Sequence, residues 1–277
     1  SALYGNEYTD WSGQIHFQVW SDYAYGHTPN IQVSVGADWV LVGGGARTVG
    51  SGVGSYLTAS YPNYGLTTWY ARSKDHIDSD PHTLYVYAIG MKIDGVTPDY
   101  LRSHMQVFSG SSGSQTSYPT ATASVTDGYL MIGGGGIDNW DSYPNAWGNM
   151  LTASYPYSSN TWKVAGKDHR RVSGSTVDAY AIGIQNISYP TVGYLQVSYT
   201  QGDVESAGIV TTDCTVPSGW AVTCSGGWLN WSGYGRMIMS IFPKENEPLS
   251  VREYSKDHTY SSSAHNYVYA MRLQKAI

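Results

Sequence analysis

Charge is scarce in this chain of 277 residues: only 13% of positions are Asp, Glu, Lys or Arg, and the formal balance is -6. No basic field exists that could hold a phosphate backbone or an anionic membrane, which excludes nucleic acid as a partner. Leu and Glu are sparse, so helix is nearly absent from the reading. No apolar run approaches membrane-spanning length, which excludes insertion by a helix, and no leader peptide is recognisable; the sequence reads as a mature soluble form. Phenylalanine occurs three times, against 25 Tyr and 10 Trp. The aromatic content therefore carries polar handles, which suits half-wet surfaces.

Only two cysteines are present. Cys214 and Cys224 flank Thr215-Val216-Pro217-Ser218-Gly219, which reads as a turn between two strands. In an oxidising compartment that spacing predicts a hairpin disulfide local to the last third of the chain. Two glycosylation sequons, Asn186-Ile187-Ser188 and Asn230-Trp231-Ser232, fit an exported protein. Secretion and an extracellular location are the expectation.

What is abundant is Gly, Ser, Thr, Val and Tyr, the composition of strands and turns. Self-similarity then sets the organisation. Tyr87-Ala88-Ile89-Gly90 recurs as Tyr180-Ala181-Ile182-Gly183 and as Tyr269-Ala270-Met271-Arg272. Upstream of these stand Lys74-Asp75-His76, Lys167-Asp168-His169 and Lys256-Asp257-His258, at steps of 93 and 89 residues. Thr58-Ala59-Ser60-Tyr61-Pro62 returns as Thr152-Ala153-Ser154-Tyr155-Pro156 and, altered, as Met239-Ser240-Ile241-Phe242-Pro243. Gly43-Gly44-Gly45 is matched by Gly133 to Gly136 and by Ser225-Gly226-Gly227, and opening strands by Gln18-Val19-Trp20, Gln106-Val107-Phe108 and Gln196-Val197-Ser198.

The chain is thus expected to be all-β, with three tandem antiparallel modules at 1-95, 96-190 and 191-277. Turn clusters rich in Gly, Ser, Asn, Asp and Pro divide each module into about six short strands, which makes a small sandwich or a β-prism. In the first module the strands are expected at Gln14-Trp20, Asn30-Val35, Trp39-Gly43, Tyr56-Tyr61, Thr68-Lys74 and Thr83-Ile93. A sandwich of this size buries little alone, so the modules are expected to pack about a pseudo-threefold axis.

The order Ile15-x-Phe17, Pro29-x-Ile31-x-Val33, Thr68-Trp69 and Tyr85-x-Tyr87-Ala88-x-Gly90 resembles that of H-type lectins. The resemblance implies six-stranded sandwiches that assemble as trimers and bind galactose or N-acetylgalactosamine between protomers. A tandem triplicate would be such a trimer on one chain. The Gly-rich third strand and the Lys-Asp-His triplets lie outside that pattern, and no binding residue is carried over from it.

Strand alternation separates packing from chemistry. Trp69, Ala71, Ser73 and Asp75 share one face, and Tyr70, Arg72, Lys74 and His76 the other; the first set reads as core. The aspartates Asp75, Asp168 and Asp257 end that row before a loop, where a carboxylate accepts backbone N–H bonds, so their role is structural. Lysine and histidine fall on the face read as solvent. A sugar site needs an aromatic face and a few fixed donors and acceptors. Tyr70, Lys74, His76 and Tyr85 are the carbohydrate-binding candidates in the first module, with Lys167 and His169 in the second and Lys256 and His258 in the third. Lys163 and Asp178, and Arg252 and Tyr267, replace the two tyrosines, so the sites are expected to be inequivalent.

Catalysis finds little support, and no enzyme activity or cofactor is expected. Adjacent Asp and His point to opposite faces of a strand, which excludes a nucleophile triad within the triplet. The Gly-rich segments lack the Gly-Lys-Ser or Gly-Lys-Thr ending of a phosphate loop and read as bulges or close backbone approaches. No segment singles out the paired carboxylates of a glycosidase. If the triplets met on the axis, His76, His169 and His258 could offer three nitrogens to zinc; scattered surface histidines are the commoner case, and no metal is assigned. The leading expectation is a multivalent lectin for glycans or glycoproteins, itself able to form oligomers. The alternative is a structural extracellular component such as an egg-coat, matrix or adhesive protein.

Overall fold

A computed structural model describes residues 2–143, 147–247 and 249–277. Nearly all of its regular secondary structure is strand. After two short strands, β1 (Ala2–Leu3) and β2 (Tyr8–Thr9), the first module contains β3 (Ile15–Gly26), β4 (Asn30–Ser34), β5 (Val40–Val49), β6 (Ser55–Pro62), β7 (Thr68–Asp75) and β8 (His82–Ile93). A linker helix, α1 (Pro98–Ser103), leads to β9 (Met105–Ser111), β10 (Thr120–Ser124), β11 (Tyr129–Asp138), β12 (Asn149–Ser158), β13 (Thr161–Asp168) and β14 (Val177–Gln185). The third module has β15 (Leu195–Ser206), β16 (Ile209–Thr215), β17 (Ala221–Trp231), β18 (Arg236–Pro243), β19 (Ser250–Asp257) and β20 (Ala264–Lys275). The six strands expected in the first module are all present. β3 and β5 run six residues further than their patterns showed, because polar and glycine positions there still pair in the ladder.

The modules do more than pack. Each splits into two three-stranded layers, and every layer continues into a neighbour's sheet: β3-β8-β5 into β18-β19-β16, β4-β7-β6 into β11-β14-β9, and β10-β13-β12 into β17-β20-β15. The three junctions use equivalent residues: Ala46 pairs with Ile241, Ser60 with Gly136, and Ser154 with Gly227. Each module therefore shares a sheet with both others, and the ring is closed.

The glycine triplets serve these junctions. In all three modules the third strand bulges, between Leu41 and Gly43, Met131 and Gly133, and Val222 and Cys224. At the third glycine of each copy the neighbouring strand crosses so close that a Cβ on Gly45 would lie 2.6 Å from the Ile241 carbonyl oxygen, and one on Gly135 2.4 Å from that of Ser60. Next to this, Gly44 and Gly134 receive the indoles of Trp69 and Trp162. The third copy has Ser225 at that position, and Val251 where the others have tryptophan.

Register also corrects the match of the opening strands. Gln18 pairs with Gly90, whereas the residue opposite the equivalent Arg272 is Ser198, so Gln196-Val197-Ser198 is displaced by two positions from its apparent counterpart. A shift of two leaves every side chain on its original face, which is why a pattern of alternation cannot detect it.

The expected disulfide is absent: Cys214 and Cys224 are free, buried thiols. Residues 216–220 do not close a hairpin. They carry the chain from β16 in one sheet to β17 in another, so the cysteines belong to different layers. Cys214 Sγ faces the Thr200 carbonyl and Cys224 Sγ the Gly134 carbonyl, 3.4 Å away. Cys224 fills the space where the bulges meet: a Cβ on Gly43 would lie 2.5 Å from its Cβ, and one on Gly133 2.5 Å from the Val42 carbonyl oxygen.

Gly135→Ala tests the junction directly. The obstructing atoms are the backbone of Ser60 and Tyr61, which cannot swing aside. Overpacking should lower unfolding free energy by about 1–3 kcal/mol, whereas Gly113→Ala, where no atom lies within 4 Å, carries only the cost of its positive φ. A denaturant titration in which the two variants lose equal stability would remove the junction from its proposed place.

Candidate functional site

The outgoing ends of β7, β13 and β19 converge, and with them the three triplets. The rings of His76, His169 and His258 stand 5.3 to 5.7 Å apart, centroid to centroid; His258 meets both others edge to face, and His76 and His169 are tilted to each other by 60°. Below them Tyr56, Met150 and Met237, equivalent in the three copies, form an apolar layer. The face on which Lys and His stand is not solvent: Lys74 is 3% exposed, His76 0%, Lys167 2%, His169 1% and His258 4%, and Lys256 is half-buried. Alternation along β7 holds, since Trp69, Ala71 and Ser73 are buried against the second layer. The outer face is covered at this end by the next module. Lys74 Nζ lies 5.2 Å over the ring of Trp140, and Lys167 Nζ 5.0 Å over that of Trp231.

Burial governs the electrostatics. It lowers the Lys74 and Lys167 ammonium pKa values to about 8, against the pull of the neighbouring aspartates. The histidines are pushed down to about 3 for His76 and about 4 for His169 and His258, by burial foremost. The nearby lysine cations push His76 and His169 down further, while Asp78 opposes the shift at His258. His76 is therefore neutral at pH 7, with Nε2–H donated to the His169 carbonyl at 2.5 Å and Nδ1 accepting from Lys74 Nζ at 3.2 Å. That Nε2 is turned to a carbonyl rather than to a common centre, and among the described residues no group of three or more His, Cys, Asp or Glu side chains is arranged to hold a metal ion.

The aspartates repeat one geometry. Asp75, Asp168 and Asp257 each accept the backbone N–H five residues on, from Asp80, Ser173 and Ser262, at 2.9 to 3.0 Å. Asp75 also meets His27 Nδ1 at 2.7 Å.

The remaining candidates do not join this cluster. Tyr70 and Tyr85 belong to different sheets. Tyr70 stacks on Tyr61, which in turn stacks on Tyr180 of the second module; Tyr85 packs against Tyr23. The expected constellation of Tyr70 and Tyr85 beside Lys74 and His76 is therefore not formed.

An accessible site lies beside the Lys74–Trp140 pair. A cleft of about 190 Å³ between the first and second modules is lined by Thr28, Asn30, Thr58 and Arg72 on one side and by Trp140 and Asp141 on the other. Arg72 and Asp141 face each other across it, Nη1 to Oδ2 4.0 Å, with side chains 36% and 54% exposed. At that separation and exposure the pair is loose, and both groups keep unused hydrogen-bonding capacity. The other seams differ. Between the second and third modules, Ala165 takes the place of Arg72, and Tyr118 leans on Trp231 with ring centroids 5.5 Å apart. Between the third and first, Tyr254 takes the place of Arg72, and the facing loop, Gly50 to Gly54, carries no tryptophan. Sequence reasoning missed Trp140 and Asp141 because it searched for what the copies share. The signal was where they differ, in the loop after the third strand.

Two measurements follow from the buried triplets. His76→Ala deletes a fully buried ring and should cost about 2–4 kcal/mol, while Asp75→Ala, losing hydrogen bonds of a turn, should cost about 1–3 kcal/mol; a neutral His76→Ala would return that face to solvent. The histidine pKa values are depressed from 6.5. Their contribution to stability is thus complete above pH 6.5 and is lost as pH falls toward 4, because the unfolded chain then binds more protons. The melting temperature should drop across that window, and less so in His258→Gln; a profile flat from pH 7 to 4.5 would show the rings to be solvated.

No protein-family model matches the chain, and no curated protein matches it.

Proposed function

We propose that the protein is a carbohydrate-binding lectin, secreted and extracellular, that takes galactose- or N-acetylgalactosamine-type glycans at the cleft between its first two modules. The observation that carries this reading is the pairing, across one open seam, of Arg72 and Asp141 beside Trp140. A pyranose offers vicinal hydroxyls that donate and accept at once. The Asp141 carboxylate accepts from two of them and the guanidinium donates to a third, both charge-assisted. The indole of Trp140, which lines the cleft and also carries Lys74 over its ring, supplies an apolar wall for sugar C–H groups. Thr28 and Asn30 add neutral donors and acceptors at the rim.

This is a binding arrangement rather than a catalytic one. Hydrolysis of a glycoside takes two carboxyl groups across the scissile bond, and the lining of the cleft has one, Asp141. The combination occurs at one seam of three, so this cleft supplies one site per chain, and avidity would come from association of chains.

A glycan array on the intact protein is the first test. Galactose-type probes should bind, and Asp141→Asn and Arg72→Ala should each weaken binding at least tenfold, which about 1.4 kcal/mol accounts for. Melting temperatures should stay within 2 °C or so of the parent, as exposed substitutions allow. Silence across galactose, fucose, mannose and amino-sugar probes would reject the reading in favour of a structural role. Binding indifferent to both substitutions would move the site elsewhere.

A further inference from the structure

Each module is preceded by a segment of chain, and internal symmetry shows what two of these segments do. The residues before β3 enter the seam between the third and first modules. There β1 and β2 extend the sheet by pairing with β3, Leu3 opposite Trp20 and Tyr8 opposite Phe17. The Tyr8 ring stacks on Phe17 at 5.3 Å and its hydroxyl donates to the Val222 carbonyl at 2.7 Å. The segment before β9 does the same service for the seam between the first and second modules: Arg102 of α1 donates to the Trp39 carbonyl at 2.7 Å, and Leu101 is fully buried. Leu66 of the β6–β7 turn closes what remains, its carbonyl accepting from the Leu41 N–H.

The third seam lacks both devices. Between β14 and β15 the chain does not enter it; Tyr189 packs back on Tyr100 and His104 of the preceding linker, and its hydroxyl is spent on the Gln185 carbonyl. The β12–β13 turn is one residue shorter than its counterpart; Asn160 takes the place of Thr67, and exposed Ser159 stands where Leu66 would be. What is left is a groove of about 230 Å³ lined by Tyr129, Leu130, Met131, Asn160, Val197 and Tyr199. By register Met131 corresponds to Val222 and Val197 to Phe17, so this is the position that Tyr8 fills at the other seam. Along its rim runs β15, twelve residues long and the last strand of its sheet.

We propose that this groove and the β15 edge bind an extended segment of a partner polypeptide in trans, added as a strand, with a tyrosine opposite Val197. Three features fix that occupant. The groove is continuous with the established interface between the second and third modules, where β12 pairs with β17. Its equivalent holds a strand of this chain in that manner. Its lining carries no charged side chain, which suits an uncharged aromatic ring with a polar tip. Strand addition to a free edge supplies main-chain hydrogen bonds, and the pocket supplies the selectivity.

The probe is a synthetic peptide of residues 2–11, which carries the segment known to fit the equivalent seam, titrated onto the intact protein by calorimetry. Saturable binding is expected, weakened at least tenfold in the peptide with Tyr8→Ala. Ser159→Trp, which fills the groove as Leu66 fills its own, and Val197→Arg, which puts a charge at the ring position, should each abolish binding without lowering the melting temperature. Failure of the parent to bind the peptide at millimolar concentration would overturn the proposal. So would binding undiminished in both variants, which would place the peptide in the seam already occupied by residues 2–11.

Discussion

Every module of this protein depends on backbone meeting backbone at a place where no side chain fits. The junctions that join β5 to β18, β6 to β11 and β12 to β17 are two residue pairs each. Gly45, Gly135 and Gly226 stand beside them, facing the Ile241, Ser60 and Ser154 carbonyls. Glycine is costly within a strand because it loses the most conformational freedom and offers nothing to pack. The cost is borne three times because the alternative is three sandwiches, each with an open edge and half a core. Once the junctions form, all three sheets cross from one module to the next, and residues at the strand ends become interior although each lies on the outside of its own sandwich.

That last consequence separates what the sequence reveals from what it conceals. Strand positions, turns and the inward row of Trp69, Ala71 and Ser73 follow from local periodicity, which the residues themselves display. The burial of Lys74 and His76 does not, because the groups that cover them, Trp140 above all, lie in another module. A lysine beside a histidine reads as surface by base rate; here the amine rests on an indole and the imidazole on two others. Cys214 and Cys224 were misjudged for a related reason. A turn-like Thr-Val-Pro-Ser-Gly cannot announce whether it returns the chain to the same sheet or delivers it to the opposite layer, and only the former would bring the sulfurs together.

The copies also record how a shared space can be filled in different ways. Trp69 against Gly44 and Trp162 against Gly134 are replaced in the third copy by Val251 and Ser225 at the equivalent positions. Ala71 and Val164 become Glu253, fully buried, facing Gly227 where the first module has Ala46. Burial holds the Glu253 carboxyl well above its ordinary pKa. Close by, the buried Arg236 guanidinium donates to Ser255, Asp257 and the Ser262 carbonyl. The third module thus replaces apolar contacts by buried polar groups, of which Arg236 is hydrogen-bonded while both Glu253 carboxyl oxygens are without a partner, an arrangement that is costly to bury.

Closure by three covalently joined copies frees the seams from being alike. In a ring of three separate identical chains, any residue placed at one interface is placed at all of them. Here Arg72 and Asp141 face an open cleft at one seam, Tyr118 leans on Trp231 at the second, and the third presents Gly50 to Gly54. The opposite ends of the seams differ just as much: a helix at one, a strand at another, an unfilled groove at the third. The junction glycines hold the frame constant while these positions vary. Chemistry such as an exposed charge pair beside a half-covered indole can then be confined to a single interface, because it is outside the junctions, in the loops after the third strand and in the segments before the first, that the copies disagree.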